Sequence, residues 1–484
     1  MVYTENKSLS KSLETGKEGP SNSMSKINKN FTAFKDQKSY YDVVVIGSGG
    51  AGLSSAIVAR SQGLTVLVVE QSSSIGGNTL KASSGMNASN TQFQKEKGIK
   101  DSNDLFYLES LKAGKGTNDI RLLKYLVDHS AESIDWLDSL GIRLDNPTVT
   151  GGMTIARTHR PSDGSAVGPY LIKGLIKQIG LRGVDLLINT QAVAINQKDG
   201  KVNGVKLKHD NFIYEVKCGA VIIGTGGFGA NYKLIRMNRP DLMEIISTNH
   251  IGSQGSGLDL VKELGGVLID LDKIQIHPTV HQERGVLIAE AVRGEGAILV
   301  NKVGKRFVNE LTTRDTVSQL IQEQVDQFAY LLFDNAIFSH IKAMEYYCSQ
   351  GYIIQANSLS DLAYLLNMNG LELNKTVANY NKAIKLKQMD KYERGISRYP
   401  IVNAPYYAIR VAPGIHYTMG GVKINKQTEV LNEKLEAIPG LFAAGEVVGG
   451  LHGSNRLGGN SIADIIIYGR QAGRSASEYI KLNK

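Results

Sequence analysis

The sequence predicts an α/β fold built around a sheet that the chain leaves and later re-enters. Two observations favour it. Short apolar runs that read as strands precede Gly-rich turns near residues 42–52, 220–229 and 440–460, and helix-like runs follow the first and the last of these turns. Because the turns lie so far apart in the chain, one sheet with a second domain inserted between its two segments explains them most economically.

The composition limits the class of protein. The chain has 484 residues, enough for two or three domains, and 42% of them are hydrophobic and 21% charged, as in globular proteins. The net charge of +9 allows an anionic partner such as a nucleic acid, a membrane or a small carboxylate, but the lysines are scattered and favour a solvated surface. We therefore predict no nucleic-acid partner.

The two cysteines and the N-terminal segment indicate the cellular compartment in which the protein is expected. Cys218 and Cys348 are far apart and form no CxxC motif, so neither a metal site nor an iron–sulfur cluster is expected. Residues 1–40 are rich in Ser, Lys and Asn and lack the apolar core of a signal peptide, so we predict a disordered polar tail. No apolar run approaches the ~20 residues that span a bilayer. We expect a cytoplasmic protein without a membrane span.

The first Gly-rich turn carries a nucleotide-binding signal. A strand predicted over residues 42–46 leads into Gly47, Gly49 and Gly52, which form the pattern GxGxxG, and a helix-like run over residues 53–62 follows. In a Rossmann-like unit the first glycine makes the turn, the second lets a pyrophosphate approach, and the third packs the helix on the strand. The helix N-terminus offers free N–H groups to the phosphates. Strand, turn and helix in this order predict a dinucleotide site.

The residues after this unit indicate a flavin. A second β-rich run, residues 64–69, ends at Glu70, whose carboxylate can accept hydrogen bonds from ribose hydroxyls. Two further segments of small residues, 74–79 and 82–88, follow almost at once. A plain NAD domain does not need them, whereas an isoalloxazine ring must lie against backbone some way from the pyrophosphate. The sequence thus predicts FAD.

Longer motifs along the chain resemble those of a known family. They are GSGGAGLSSA, IGGNTLKASSGMNAS, ARTHRP, IIGTGGFG, IQIHPT, EAVRGEGAILVN, RFVNELTTRD, HYTMGG and AAGEVVGGLHGSNRLGGNSIAD. From about Tyr41 to the C-terminus the chain resembles the soluble fumarate reductases, flavoprotein relatives of the flavin subunit of succinate dehydrogenase. The resemblance implies a Rossmann-like FAD-binding domain in two segments, 41–271 and 418–484, with an inserted α+β capping domain at 272–417 that clamps the substrate.

The resemblance also implies the chemistry, which is the reduction of fumarate to succinate. Reduced FAD gives hydride from N5 to one alkene carbon, and Arg314 of the TTRD motif gives a proton to the other. Glu290 and Arg293 of the EAVRG motif are implied to reload Arg314, and their i, i+3 spacing would place them on one face of a helical turn. The residues implied to hold the substrate carboxylates are Arg314, His277, His416 and Arg456.

The cofactor is expected to lie against the Gly-rich turns and the start of the last helix-like run. In the membrane-bound relatives a histidine attaches FAD covalently, and Asn78 stands at that place here, so the resemblance implies non-covalent binding. We expect neither a haem domain nor an iron–sulfur domain, and therefore an external electron donor, either reduced flavin or a reductase. The residues expected to contact FAD are Gly47, Gly49, Ala51, Gly52, Glu70, Gly77, Asn78, Thr79, Ser84, Gly85, Gly226, Gly227, Glu446, Ser461 and Ile462.

Some residues depart from the family pattern or match no motif. Ala289 replaces a threonine that contacts substrate in many relatives, and Ser256 replaces an aspartate. We predict His277 at a strand end and His452 in a Gly-rich turn where it could touch FAD. His159 is expected near the flavin or at the domain junction. The remaining histidines are expected at the surface or in packing: His129, His209, His250, His281 and His340.

Two alternatives to fumarate reduction stay open. The same fold reduces other 2-enoates, such as urocanate or acrylate-type compounds, although cationic groups at both ends of the expected pocket favour a dicarboxylate. The other alternative is a flavin-carrying electron-transfer protein without substrate chemistry of its own. The oligomeric state also stays open.

Overall fold

The computed structural model describes residues 37–395 and 399–484. The first strand begins at Tyr40, earlier than the sequence predicts, because Tyr40 already pairs with Lys217 of a neighbouring strand. Most of the predicted polar tail, residues 1–36, lies outside the described residues. In the described part of the chain, no helix is long and apolar enough to cross a membrane.

The strands fall into two principal sheets and two small ones. In chain order they are β1 Tyr40–Ile46, β2 Val66–Val69, β3 Met86–Asn87, β4 Asn146–Thr148, β5 Thr158–Arg160, β6 Asp185–Leu187, β7 Thr190–Lys198, β8 Lys201–His209, β9 Phe212–Ile223, β10 Leu268–Ile269, β11 Ile274–His281, β12 Val286–Leu287, β13 Ile298–Val300, β14 Ala329–Asp334, β15 Ile354–Ala356, β16 Tyr406–Thr418, β17 Gly421–Val422, β18 Glu429–Leu431 and β19 Ala437–Ala443.

Helices connect the strands of both sheets along the chain. In chain order they are α1 Gly50–Ser61, α2 Gly77–Leu80, α3 Gln92–Glu96, α4 Asn103–Ala113, α5 Ile120–Asp128, α6 Ser130–Ser139, α7 Val167–Leu181, α8 Tyr232–Asn238, α9 Ser256–Glu263, α10 Glu290–Glu295, α11 Arg314–Gln322, α12 Asn335–His340, α13 Ala343–Ser349, α14 Leu359–Leu365, α15 Gly370–Lys385 and α16 Asn460–Asn483.

The first sheet has the order β18-β19-β9-β1-β2-β6 and carries the antiparallel pair β7–β8 next to β9. Strands β19, β9, β1, β2 and β6 are parallel to one another. The chain leaves this sheet after β9 and re-enters it at β18, which confirms the predicted α/β fold. Because the parallel strands end at the same edge, the turns after β1, β2, β9 and β19 meet there, as is usual for ligand sites in such sheets.

The second sheet has the order β12-β11-β16-β14-β13, with β15 also paired to β16. Its strands are antiparallel. Two apolar clusters pack on it, one around Phe333 and Tyr407 and the other around Leu332 and Leu373. The sheet lies in sequence between β9 and β18, so its own core is compatible with an inserted domain; the boundaries at residues 272 and 417 stay a prediction.

Close packing of α1 against α16 holds the two segments of the first sheet together. A Cβ on Gly469 would lie 2.7 Å from the carbonyl oxygen of Ala51, and one on Gly473 would lie 2.5 Å from that of Ser55. Only glycine lets the two helices approach this closely. The last helix thereby brings its N-terminus to the edge where the parallel strands end.

Candidate active site

A cavity of about 1400 Å³ runs from the first Gly-rich turn to the second sheet. Most of the residues that the sequence singles out line it. On the expected cofactor side they are Gly47, Gly49, Ala51, Glu70, Gly77, Asn78, Thr79, Ser84, Gly85, Gly226, Glu446, Ser461 and Ile462. On the expected substrate side they are His277, Glu290, Arg293, Arg314, His416 and Arg456. The structure thus brings together groups that are far apart in the sequence.

Two of the glycines expected to contact FAD lie outside the lining. A Cβ on Gly52 would stand 2.0 Å from the carbonyl oxygen of Gly47, so this glycine permits the contact between α1 and the turn after β1. A Cβ on Gly227 would stand 2.0 Å from Oγ1 of Thr418 and 2.7 Å from Oε1 of Glu446. Both glycines therefore support the wall of the cavity through close packing.

The cofactor side offers unpaired hydrogen-bonding groups that suit an anionic dinucleotide. The N-cap residues of α1 and α16 are glycines, which offer no capping side chain, and both helix N-termini open into the cavity. In α1, the N–H of Gly50 donates to Oγ1 of Thr79 at 3.1 Å. Free N–H groups at a helix N-terminus attract phosphate and other anionic groups. Oγ1 of Thr225, a residue that lines the cavity, is buried without a hydrogen-bond partner among the described residues. This donor set and the cavity volume fit FAD.

The acidic residues on this side are already oriented by the protein. Oε2 of Glu70 accepts hydrogen bonds from N and Oγ of Ser48 at 3.1 and 2.7 Å, which ties the end of β2 to the first Gly-rich turn. Glu446 accepts a hydrogen bond from N of Thr418 at 3.1 Å and another from Nδ2 of Asn78 at 3.3 Å. Burial raises the pKa of Glu446 above its ordinary value. Asn78 is an amide and carries no group that could attach a flavin covalently.

The substrate side contains three buried guanidinium groups around one carboxylate. Nη2 of Arg314 lies 2.8 Å from Oε2 of Glu290, and Nη2 of Arg293 lies 3.5 Å from Oε1. Arg293 is held by its own Nη1, which donates to the carbonyl oxygen of Glu310. Arg456 forms no ion pair within residues 37–395 and 399–484. Positive charge therefore exceeds negative charge here, and a bound anion would offset the cost of burying it.

Gln275, which is not among the residues expected in the site, orients two of these arginines. Its Oε1 accepts hydrogen bonds from Nη1 of Arg314 and from Nη2 of Arg456, each at 3.1 Å. Its Nε2 donates to Oδ1 of Asn455 at 2.6 Å. Residues two positions apart in a strand face the same side of the sheet. Because Gln275 precedes His277 by two positions in β11, this spacing could have indicated that Gln275 faces the site.

His277 and His416 complete this end of the cavity, with ring centroids 5.4 Å apart. The prediction that His277 ends a strand is wrong, because it lies inside β11 at a β-bulge, where the pairing with β16 shifts register. A β-bulge changes the direction in which a side chain points. In the described chain, Nε2 of His277 is buried without a hydrogen-bond partner. Nδ1 of His416 is paired with Oγ1 of Thr248 at 2.9 Å.

The charges around the cavity set the protonation states of its residues. Burial, and next the charge of Arg314, hold the pKa of His277 and of His416 well below the ordinary value, so both rings are neutral at pH 7. Burial alone would raise the pKa of Glu290, but the charges of Arg314 and Arg293 outweigh it and the pKa is lowered. Burial and the charge of Arg314 lower the pKa of Arg456 to about 10. Because both rings are neutral, a charge-assisted hydrogen bond to either histidine requires an ionised ligand.

Three further histidines lie at different places relative to the cavity. His250, expected at the surface or in packing, lines the cavity. His452 is not in the lining; its Nε2 lies 3.5 Å from Oδ2 of Asp464, and its ring packs against Tyr417. His159 is also outside the lining, buried with Nε2 2.8 Å from Oγ1 of Thr91. The last two histidines support the structure around the cavity.

The two departures from the family pattern both lie in the cavity lining. Ser256 begins α9. Ala289 donates its backbone N–H to the hydroxyl of Tyr347 at 3.1 Å, and that hydroxyl donates to the carbonyl oxygen of Leu287 at 3.2 Å. Tyr347, which no sequence motif indicated, thus braces the segment before α10 at the place where the threonine hydroxyl is absent.

The described residues hold no group of three or more His, Cys, Asp or Glu side chains that could bind a metal ion.

Comparisons with known proteins identify relatives of this chain. A family model described as an FAD binding domain matches residues 42–462. A protein of Klebsiella pneumoniae named NADH:fumarate oxidoreductase is 48% identical over 90% of this chain, which spans only 48% of that protein's length. The fumarate reductase (cytochrome) of Shewanella frigidimarina is 44% identical over 91% of this chain and 78% of its own.

A solved structure and a more distant relative extend the comparison. The open conformation of a flavocytochrome c3 fumarate reductase superposes with a TM-score of 0.79 at 37% identity, covering 98% of this chain and 83% of its own. A protein of Eggerthella lenta named urocanate reductase is 32% identical over 90% of this chain and 74% of its own. The relatives thus share the fold and differ in the substrates that their names give.

Proposed function

Because this chain belongs to the family of FAD-dependent fumarate reductase flavoproteins, we propose that it reduces fumarate to succinate. It is a flavin-dependent oxidoreductase that acts on a carbon–carbon bond, and its cofactor is FAD. The observation that carries the choice of substrate is the excess of buried positive charge formed by Arg314, Arg293 and Arg456 around Glu290. A small dianion offsets that charge, whereas a neutral or singly charged enoate offsets less of it.

The substrate is held by groups at two places in the cavity. Arg314 and Arg456, joined through Gln275, present guanidinium groups that can fork onto a carboxylate. His277 and His416 are neutral and lie side by side, and Nε2 of His277 has no partner in the described chain. Each carboxylate of fumarate then receives hydrogen bonds. Twisting one carboxylate out of the plane of the alkene polarises the double bond.

Arg314 delivers the proton that completes the reduction. FAD in its reduced form supplies the hydride. An arginine is a weak acid, with a reference pKa above ~12, but the carbon that it protonates carries developing carbanion character and is strongly basic. Glu290, 2.8 Å from Arg314, takes up a proton and passes it to Arg314, and Arg293 lies 3.5 Å from Glu290. Positioning of these groups and stabilisation of the developing charge lower the barrier.

Several finer assignments belong to the same proposal. FAD is bound non-covalently, which Asn78 in the cavity lining supports. Electrons come from an external reductant, either reduced flavin or a reductase. The segment 272–417 acts as the capping domain, which the separate second sheet supports. The protein works in the cytoplasm.

A related 2-enoate is the second candidate substrate. The relative named urocanate reductase shares the fold at 32% identity. The excess of positive charge on Arg314, Arg293 and Arg456 favours fumarate, because urocanate carries only one carboxylate and would offset less of that charge.

The test is an anaerobic reoxidation experiment. The purified flavoprotein is reduced with dithionite and mixed, in separate cuvettes, with fumarate, urocanate or acrylate while the visible flavin absorbance is followed. Rapid return of the oxidised spectrum with fumarate alone is expected. Reoxidation by urocanate or acrylate instead would overturn the substrate. No reoxidation by any of the three would favour an electron-transfer protein.

A further inference from the structure

The carboxylate of Glu290 lies between two glycines from distant parts of the chain. A Cβ on Gly151 would stand 2.6 Å from Oε1 of Glu290, and a Cβ on Gly458 would stand 3.2 Å from Oε2. The second Cβ would also stand 3.0 Å from Nη2 of Arg314. A methyl group at residue 151 would require the carboxylate of Glu290 to shift, and one at residue 458 would require Glu290 and Arg314 to give by a few tenths of an ångström.

Space, and not backbone conformation, requires glycine at these two positions. Neither Gly151 nor Gly458 has a φ in the left-handed region, whereas the neighbouring Gly152 has a φ of +82°. An alanine can therefore adopt the same backbone at residues 151 and 458. Its methyl group would then meet the ion pair and little else.

The two glycines and the glutamate come from different elements. Gly151 lies in the loop that follows β4, and Gly458 lies in the loop that precedes α16. Glu290 is the first residue of α10, which leads into the second sheet. The arrangement, called the glycine slot below, therefore forms only where α10 is packed against both loops.

We propose that Gly151 and Gly458 are positioning residues for proton delivery to Arg314, an inference that rests on the proposed fumarate reduction. The slot limits the rotamers of Glu290 and keeps Oε2 at 2.8 Å from Nη2 of Arg314. It also covers each carboxylate oxygen with backbone, so that less water competes with Arg314 for the proton. The side chain of Glu290 nevertheless keeps 18% exposure, which leaves it a route for proton exchange. A displacement of about 1 Å in such a relay can slow a reaction roughly 100-fold.

The test compares Gly151→Ala and Gly458→Ala with the matched control Gly370→Ala. Gly370 begins α15, and the nearest atom to its added Cβ would be the Cβ of Ala363 at 3.7 Å, an ordinary contact. For each holoenzyme one measures flavin content, kcat and KM for fumarate, and the solvent deuterium isotope effect on kcat. We expect both slot variants to keep their flavin, to lose at least about tenfold in kcat with a KM changed less than about threefold, and to show a larger isotope effect. The control should match the wild type.

A double variant separates an effect through Glu290 from a general disturbance. Glu290→Asp shortens the side chain and withdraws the carboxylate from the slot. If the methyl group at residue 151 acts by displacing that carboxylate, Gly151→Ala should cost little further kcat in the Glu290→Asp background. Full additivity of the two losses would overturn the proposal, as would wild-type kcat and isotope effect in both slot variants. Lack of fumarate reduction by the wild type would instead contradict the proposed function.

Discussion

Arg314 has two contacts that suit a proton donor, since Gln275 orients its Nη1 and Glu290 binds its Nη2. We expect Arg314→Ala to retain FAD but to lower kcat for fumarate by at least about 100-fold, because a positioned acid contributes roughly 10²–10⁴ to such a rate. The measurement is steady-state turnover with a reduced dye, together with the flavin absorbance. Arg239→Ala, which removes an arginine paired with Asp241 at the surface, should turn over like the wild type. Normal turnover by Arg314→Ala would remove the proton-donor assignment.

His277 and His416 should make the folded protein sensitive to acid. Their pKa values are depressed by burial and by the charge of Arg314, so below about pH 6.5 the unfolded chain binds protons that the folded chain does not. Stability is then lost as the pH falls, by up to about 1.4 kcal/mol per histidine for each pH unit below 6.5. We expect the fall in Tm of the holoenzyme between pH 7 and pH 5.5 to be smaller in His416→Gln than in the wild type. Equal falls in the two proteins would contradict the neutral state of His416.

At the scale of single elements, α10 depends on a buried ion-pair network behind it. Arg394 donates to Oε2 of Glu310 at 2.7 Å, to the carbonyl oxygen of Ala297 at 2.9 Å and to that of Arg293 at 2.7 Å. Glu310 also accepts from Arg306 at 2.8 Å. The network thus holds the C-terminal end of α10 and, with it, the residue that pairs with Glu290.

Removing one member of this network should be costly. We expect Arg394→Met to destabilise the protein by about 3–5 kcal/mol, because it leaves Glu310 buried with too little compensating charge. The measurement is the urea midpoint of the holoenzyme. Arg410→Met, at an exposed position on β16 where the guanidinium stacks on Phe328, should cost less than about 1 kcal/mol. Similar midpoints for the two variants would show that the network contributes little.

On the scale of the whole molecule, an ion pair connects the element that carries Arg314 with the part of the chain around the first sheet. Nζ of Lys115, in the loop after α4, lies 2.7 Å from Oδ2 of Asp315, the residue next to Arg314. Asn455 donates to the other oxygen of Asp315 at 3.2 Å. Asp315 therefore joins the start of α11 to two loops near the cavity.

Because Lys115 is exposed, its contribution should be small and screened by salt. Exposed ion pairs contribute about 0–1 kcal/mol, so Lys115→Ala should lower kcat/KM for fumarate less than about fivefold at low ionic strength. The difference should vanish at high salt. Lys124→Ala removes a pair that lies within α5 alone and should leave kcat/KM unchanged. An equal loss in that control, or a loss that persists in high salt, would argue against a role for Lys115 in joining the two parts.

The sequence by itself determined the local elements and much of the chemistry. The pattern from Gly47 to Gly52 predicted β1, the turn and α1, because a strand, a tight turn and a helix are set by contacts between near neighbours. The i, i+3 spacing of Glu290 and Arg293 likewise predicted a shared helical face, and their side chains lie 3.5 Å apart. The resemblance of the motifs to those of a known family, and not periodicity, identified the site residues that lie far apart in the sequence.

Only the tertiary structure decided how those elements meet. The hydrogen bonds that Arg314 and Arg456 donate to Gln275, the β-bulge at His277, and the backbone of Gly151 against Glu290 all depend on how two sheets and their loops pack. Such contacts join residues that are tens to hundreds of positions apart. Local patterns of hydrophobicity and turn residues cannot encode them, because each arises from side-chain shape and close packing in the folded molecule.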